Sequence, residues 1–317
     1  MLFLWLILML IVNPYMVDDD GYFHFRFSEL TWNHGLITAL PQSDNLSWAT
    51  NFVDSHFFFH VLTTFGWGGG GEWGIKSLIV ILGLIMMYMI YQVATARSEK
   101  GQTGLILILL SMLNLYFIDR VLMVRPHVVS QLFYFINLYA LVKNKRAWVF
   151  LSAALHALSY HAYYLIILNL CIGLGLQKKI DFKTFALGSV GLAIGILLNP
   201  YFPDSFMMFL DQIKIGTMPQ QISFHYYYSE MKPKSLWNVL PVHLMVWQIF
   251  AFQIYAFSKK GWRQIERPEI WVSILGVVWY ILFFFNYRSV EFLIPVVLLV
   301  STNFVERLTQ KQERYFY

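Results

Sequence analysis

Hydrophobic residues are gathered into long blocks separated by short polar segments. Blocks long enough to cross, or nearly cross, a bilayer fall at about 1–17, 75–96, 103–118, 126–142, 147–160, 161–176, 184–199, 237–257, 270–286 and 291–305. Several are shorter than the roughly 20 residues of an ordinary span, so packing, tilt or partial re-entry is expected. The first block starts at Met1 with neither a basic leader nor a small-residue cleavage site, and reads as a retained span. This pattern predicts an all-α polytopic membrane protein of about ten helices. It would form a single membrane domain over 1–317, with two long outward loops at 18–74 and 200–236.

Phe52–Phe65, inside the first loop, is apolar enough to touch a membrane. A full span there would reverse every later loop, so an interfacial or re-entrant helix is expected. Gly68–Gly71, in Trp-Gly-Gly-Gly-Gly-Glu-Trp-Gly, then supplies a flexible joint. No Gly-Lys-Ser/Thr follows, which excludes a P-loop.

Composition agrees with the block pattern. Of 317 residues, 58% are hydrophobic and 13% charged, against about 25% charged in soluble chains. Mean hydropathy is +0.54. Disordered, collagen-like and disulfide-rich classes are excluded on the same grounds, and the single Cys171 permits no intrachain disulfide.

The net charge of +5 becomes informative once it is divided between the two sides. With ten alternating spans, one set of loops holds 15 basic and 6 acidic residues, and the other holds 8 basic and 12 acidic. The positive-inside rule puts the first set, and both termini, in the cytoplasm. The basic excess is therefore a topological signal, and no nucleic-acid partner is expected. A plasma-membrane location with the acidic face outside follows.

Chemistry concentrates on that acidic face. Asp18, Asp19 and Asp20 directly follow the first span, and Tyr22, Phe23 and Phe25 then alternate with His24 and Arg26. Three adjacent carboxylates repel one another, which favours a shared cation or a raised pKa on one of them. A solvated acidic helix end is the simpler alternative. Asp20-Gly21-Tyr22-Phe23-His24-Phe25-Arg26 resembles the Asp-x-aromatic-aromatic-Asn/His-aromatic/Leu-Arg pattern after the first span of oligosaccharyltransferase catalytic subunits and their relatives. These are GT-C-fold glycosyltransferases, polytopic enzymes that use a polyprenyl-phosphate-linked sugar donor on the outer or lumenal face. The resemblance implies Asp20 as the catalytic carboxylate and Arg26 as a nearby orienting residue. Trp-Trp-Asp-Tyr-Gly, the signature of transfer to protein asparagine, is absent, so another acceptor is expected.

Asp54-Ser55-His56-Phe57-Phe58-Phe59-His60 is a second cluster. On a helix His56 and His60 share a face, so the set suits either metal ligation or a capped interfacial helix whose polar residues face a cleft. Asp54 and His56 are expected beside Asp20. Arginines stranded on the acidic side form a third feature: Arg120, Arg125 (followed by Pro126 and His127) and Arg288. The guanidinium fork suits phosphate oxygens. Arg288, Arg125, Arg26 and His127 are therefore candidate donor-phosphate ligands. Local pairing of Arg120 with Asp119 and of Arg288 with Glu291 is the alternative. Asp18 and Asp20 offer oxygen ligands to Mg²⁺ or Mn²⁺ on that phosphate. Tyr226–Tyr228 in the second loop read as an interfacial aromatic belt.

The expectation is a glycosyltransferase moving a sugar from a polyprenyl-phosphate donor to a glycan, lipid or protein acceptor by an inverting single displacement. A transporter or flippase of a lipid-linked glycan, or a lipid-linked glycan polymerase or ligase, is the alternative.

Overall fold

A computed structural model describes residues 19–40, 47–95, 115–176, 181–217, 239–260, 267–285, 289–297 and 299–300. The described residues are helical, with no strand among them, as an all-α chain requires. The helices are α1 (Asp19–His34), α2 (Phe57–Thr95), α3 (Leu115–Leu122), α4 (Pro126–Val142), α5 (Arg146–Ser159), α6 (Tyr164–Leu176), α7 (Phe182–Leu197), α8 (Asp204–Thr217), α9 (Leu240–Lys260) and α10 (Arg267–Phe285). A further helical segment covers 290–297. The expected first span, 1–17, lies outside the described residues.

Helix ends follow local rules. Gly35, at φ 78°, closes α1, and its N–H donates to the Thr31 carbonyl at 2.9 Å. α4 begins on Pro126, whose missing N–H costs nothing at a first helical position. It ends in a six-to-one turn in which Lys145 N donates to Ala140 O at 2.8 Å. Asn144 takes the left-handed conformation there, φ 54°. Asp181 starts α7 by accepting from the backbone N–H groups of Lys183 and Thr184.

The glycine joint is a reversal. Gly70 is extended, and Gly71 sits at φ 58°, in the left-handed region. They divide α2 into two arms. A Cβ on Gly66 would lie 3.1 Å from the Ile75 Cα, whereas a straight helix separates those positions by roughly 13 Å. The first arm therefore folds back against the second. The second arm, 72–95, is about 36 Å long. By length and composition Phe57–Thr95 is the one described helix apolar enough to cross a membrane. Pro126–Val142, Tyr164–Leu174, Phe182–Leu197, Leu240–Tyr255 and Ile270–Phe284 are apolar but shorter.

α4 and α5 run antiparallel. Asn137 Nδ2 donates to Val149 O and Ser152 Oγ, and His156 reaches Ser130 O. α5 and α7 run parallel: Gly188, Gly191 and Gly195 meet, in order, Val149, Phe150 and Ala154. Small residues let these backbones touch, because a Cβ on Gly191 or Gly195 would strike a carbonyl oxygen of α5. Arg146 and Asp181 pair at 2.8 Å where both helices start. The basic residues Lys143, Lys145, Arg146 and Lys183 thus share one end of the bundle. The starts of α4 and α6 and the ends of α5 and α7 share the other. The second long loop departs from expectation by containing α8. Asp204 stands in its first turn, and Phe206 and Phe209 pack on Tyr163, the latter at 4.7 Å between rings.

Candidate functional site

The end of the bundle opposite the lysines carries the candidate chemistry. Asp20, His24 and Ser28 recur every four residues on α1, so they form one stripe. That stripe faces the first arm of α2. His24 Nδ1 lies 2.8 Å from His60 Nε2, and Ser28 Oγ donates to Thr63 Oγ1 at 2.7 Å. At the open end of the stripe, Asp20 Oδ2 meets Arg125 Nη2 at 3.1 Å. The Asp20 side chain is 59% exposed while Arg125 is buried, so the carboxylate is presented outward from a guanidinium anchored inside. Arg125 owes its position to Pro126, since a residue before proline is driven extended, here φ −141°, ψ 153°.

Asp54 is buried, and both of its oxygens are engaged. Oδ1 accepts from the backbone N–H of His56 at 2.8 Å, in the turn that leads into α2. Oδ2 lies 2.7 Å from His60 Nδ1. Its carbonyl accepts from Asn199 Nδ2 at 3.2 Å, tying the end of α7 to the site. A continuous line therefore runs Asp54–His60–His24. Phe27, 4.3 Å from the His60 ring, and Phe59, edge-on to His24 at 5.1 Å, flank it. Burial first, then the charges of His60, Arg125 and His127, hold His24 well below the ordinary imidazole range. Burial and the Asp54 charge push the Tyr201 phenol up, and its hydroxyl donates to Ile37 O at 2.6 Å.

The expected site residues that are described fall into distinct groups. Asp20 and Arg125 meet. Asp54 reaches the same stripe of α1 through His60. His56 joins another pair, its Nε2 lying 3.0 Å from His161 Nδ1 with Tyr160 alongside. His127 is buried two residues along from Arg125, with Nε2 2.7 Å from the Arg120 carbonyl. Arg26 does not join this group. Six residues past Asp20, it points about 120° away round α1 and pairs on the exposed surface with Glu29. Arg120 pairs with Glu291, from Nε to Oε1 at 2.6 Å, and Gln131 holds the other Glu291 oxygen at 3.2 Å. Asp18 and Arg288 lie outside the described residues.

Of the pair expected to hold Mg²⁺ or Mn²⁺, Asp18 lies outside the described residues and Asp20 meets Arg125; no three His, Cys, Asp or Glu side chains among the described residues are grouped to hold a metal. The residues that local reading passed over are His24, His60 and His161. Their signal was the Asp54-x-His56-x-x-x-His60 spacing, which identifies a carboxylate among imidazoles without saying which imidazole it holds. The chain matches no protein-family model, and no curated protein is significantly similar to it.

Proposed function

We propose that this chain is a multi-span membrane glycosyltransferase of the GT-C type. It would transfer a sugar from a polyprenyl-phosphate-linked donor to an acceptor hydroxyl on the outer face, with inversion. The observation that carries the reading is the Asp20–Arg125 pair, an outward carboxylate held by a buried guanidinium. The two groups divide the labour of a displacement at an anomeric carbon. Asp20 hydrogen-bonds the attacking hydroxyl, whose oxygen bonds to C1. The bond from C1 to the phosphate oxygen breaks, and its electron pair leaves on polyprenyl phosphate. Arg125, in a water-poor setting where charge is felt strongly, stabilises that phosphate.

The membrane setting is supported by an inside-out distribution of polarity. Ile270, Ile274, Val277, Ile281 and Phe284 form an exposed apolar stripe along α10, while Asn137, Asn169, Gln131 and Glu291 are buried. The basic end of the bundle lies opposite Asp20, in keeping with a cytoplasmic end and an outer active end.

The test uses the full chain in proteoliposomes, supplied with undecaprenyl-phosphate-linked glucose or mannose and a saccharide acceptor. Asp20→Asn is expected to insert and fold but to lose at least 100-fold in transfer. Arg125→Gln is expected to lose donor binding and rate together. An Asp20→Asn protein transferring sugar at the wild-type rate would falsify the assignment.

A further inference from the structure

We propose that Asp54, His60 and His24 form a carboxylate–imidazole–imidazole relay whose accepting nitrogen, His24 Nε2, receives the proton of the acceptor hydroxyl. The proposal rests on the glycosyl-transfer reading above and adds the destination of the proton.

The direction of the relay follows from its end group. A carboxylate only accepts, so His60 presents Nδ1–H to Asp54 Oδ2 at 2.7 Å. His60 Nε2 is then a bare lone pair, and the 2.8 Å contact requires His24 to present Nδ1–H to it. His24 is left with an unprotonated Nε2 on the side of its ring away from His60. That nitrogen has no hydrogen-bond partner among the described residues and is not one of the sealed polar atoms. His24 stands one helical turn from Asp20, on the same stripe.

The relay gives the proton a destination other than Asp20, whose Oδ2 already accepts from Arg125 at 3.1 Å. A lone imidazole here would be a poor destination, because an imidazolium would arise beside Arg125 and His127. The relay avoids that cation. As the hydroxyl O–H bond breaks, drawn by Asp20, its proton goes to His24 Nε2. The Nδ1 proton of His24 passes to His60 Nε2, and the Nδ1 proton of His60 passes to Asp54. The net change is neutralisation of one buried carboxylate, with no new buried cation. His24 thus touches the reacting hydroxyl, whereas His60 and Asp54 are positioning residues that act through it.

Two measurements decide the matter. In the full chain labelled with ¹⁵N-histidine in lipid nanodiscs, His24 is expected to carry its proton on Nδ1. A through-hydrogen-bond coupling to His60 Nε2 should be visible and should be lost in Asp54→Asn. A His24 ring protonated on Nε2 at neutral pH overturns the relay whatever the protein's activity. In the transfer assay with undecaprenyl-phosphate glucose or mannose, His24→Gln is expected to lower kcat by about 100-fold or more, with KM for the donor unchanged. Asp54→Asn is expected to lower kcat about 10-fold, also at constant donor KM. Wild-type turnover with His24→Gln within threefold of it refutes the relay and leaves glycosyl transfer standing. Turnover of neither donor by the wild type counts against the glycosyl-transfer reading, and the tautomer then decides the relay independently.

Discussion

Glu291 and Arg120 are the pair on which a single atom change should register most clearly. Their side chains are 3% and 6% exposed, and the contact joins α3 to the 290–297 segment across 171 residues of sequence. Glu291→Gln keeps the shape and one acceptor but removes the charge that faces the buried Arg120 guanidinium. Breaking a buried pair from one side costs about 3–5 kcal/mol, because the remaining charge keeps its desolvation penalty. At about 2–4 °C per kcal/mol for a chain of this order of size, the melting temperature should fall by roughly 6–20 °C. Replacing both partners, Arg120→Met with Glu291→Leu, removes both desolvation penalties. It leaves chiefly the Gln131 amide without its acceptor, at a cost of about 1–3 kcal/mol. The double variant should therefore melt above the Glu291→Gln single. Fluorescence-detected melting in detergent micelles, run as a double-mutant cycle, measures this directly. Equal melting of Glu291→Gln and wild type would refute the reasoning. So would a double variant whose loss equals the sum of the two singles, because the pair would then carry no coupling.

Gly191→Ala sets two effects against each other: alanine gains about 1 kcal/mol of helix propensity, but its Cβ falls on the Phe150 carbonyl, which is backbone and has no rotamer to escape by. Overpacking of about 1–3 kcal/mol should win, so the variant should melt below wild type while Val190→Ala, on the exposed face next door, stays within about 0.5 kcal/mol; a Gly191→Ala protein as stable as wild type refutes the close α5–α7 contact. The depressed His24 gives a pH signature: above about pH 6.5 folded and unfolded chains both hold it neutral, and below that the unfolded chain takes up a proton that the folded chain refuses. Stability should then fall with acidification, by up to about 1.4 kcal/mol per pH unit. His24→Gln should show a shallower decline between pH 6.5 and 5 in melts at matched ionic strength, and parallel curves for the two proteins would contradict the assignment.

What was legible in the sequence depended on how far apart the cooperating residues lie. The glycine joint could be read locally, since Gly71 supplies a left-handed conformation that other residues resist, and the first arm folds back against the second. The Asp20–Arg125 meeting was half legible. Each residue stood out as a charge stranded beside an apolar block, but their 3.1 Å contact depends on how α1 and the start of α4 come together. The partners of Asp54 and Arg120 were not legible, for one physical reason. Reading along the chain favours neighbours, His56 for Asp54 and Asp119 for Arg120, because only neighbours are visible there. In the folded chain the backbone N–H of His56 takes one Asp54 oxygen in a tight turn before α2, while the other oxygen faces His60. Arg120 reaches a carboxylate that arrives buried from the far end of the chain. A buried charge costs far more unpaired than an exposed one does, so burial selects its partner by depth and not by proximity in sequence. The same rule accounts for Arg26, which stays at the exposed surface of α1, where Glu29 three residues away suffices. Among the charged residues flagged at this end of the bundle, depth therefore separates those that sequence distance can pair from those that the fold must pair. Asp20, exposed itself yet held by a buried guanidinium, stands on the boundary between the two classes.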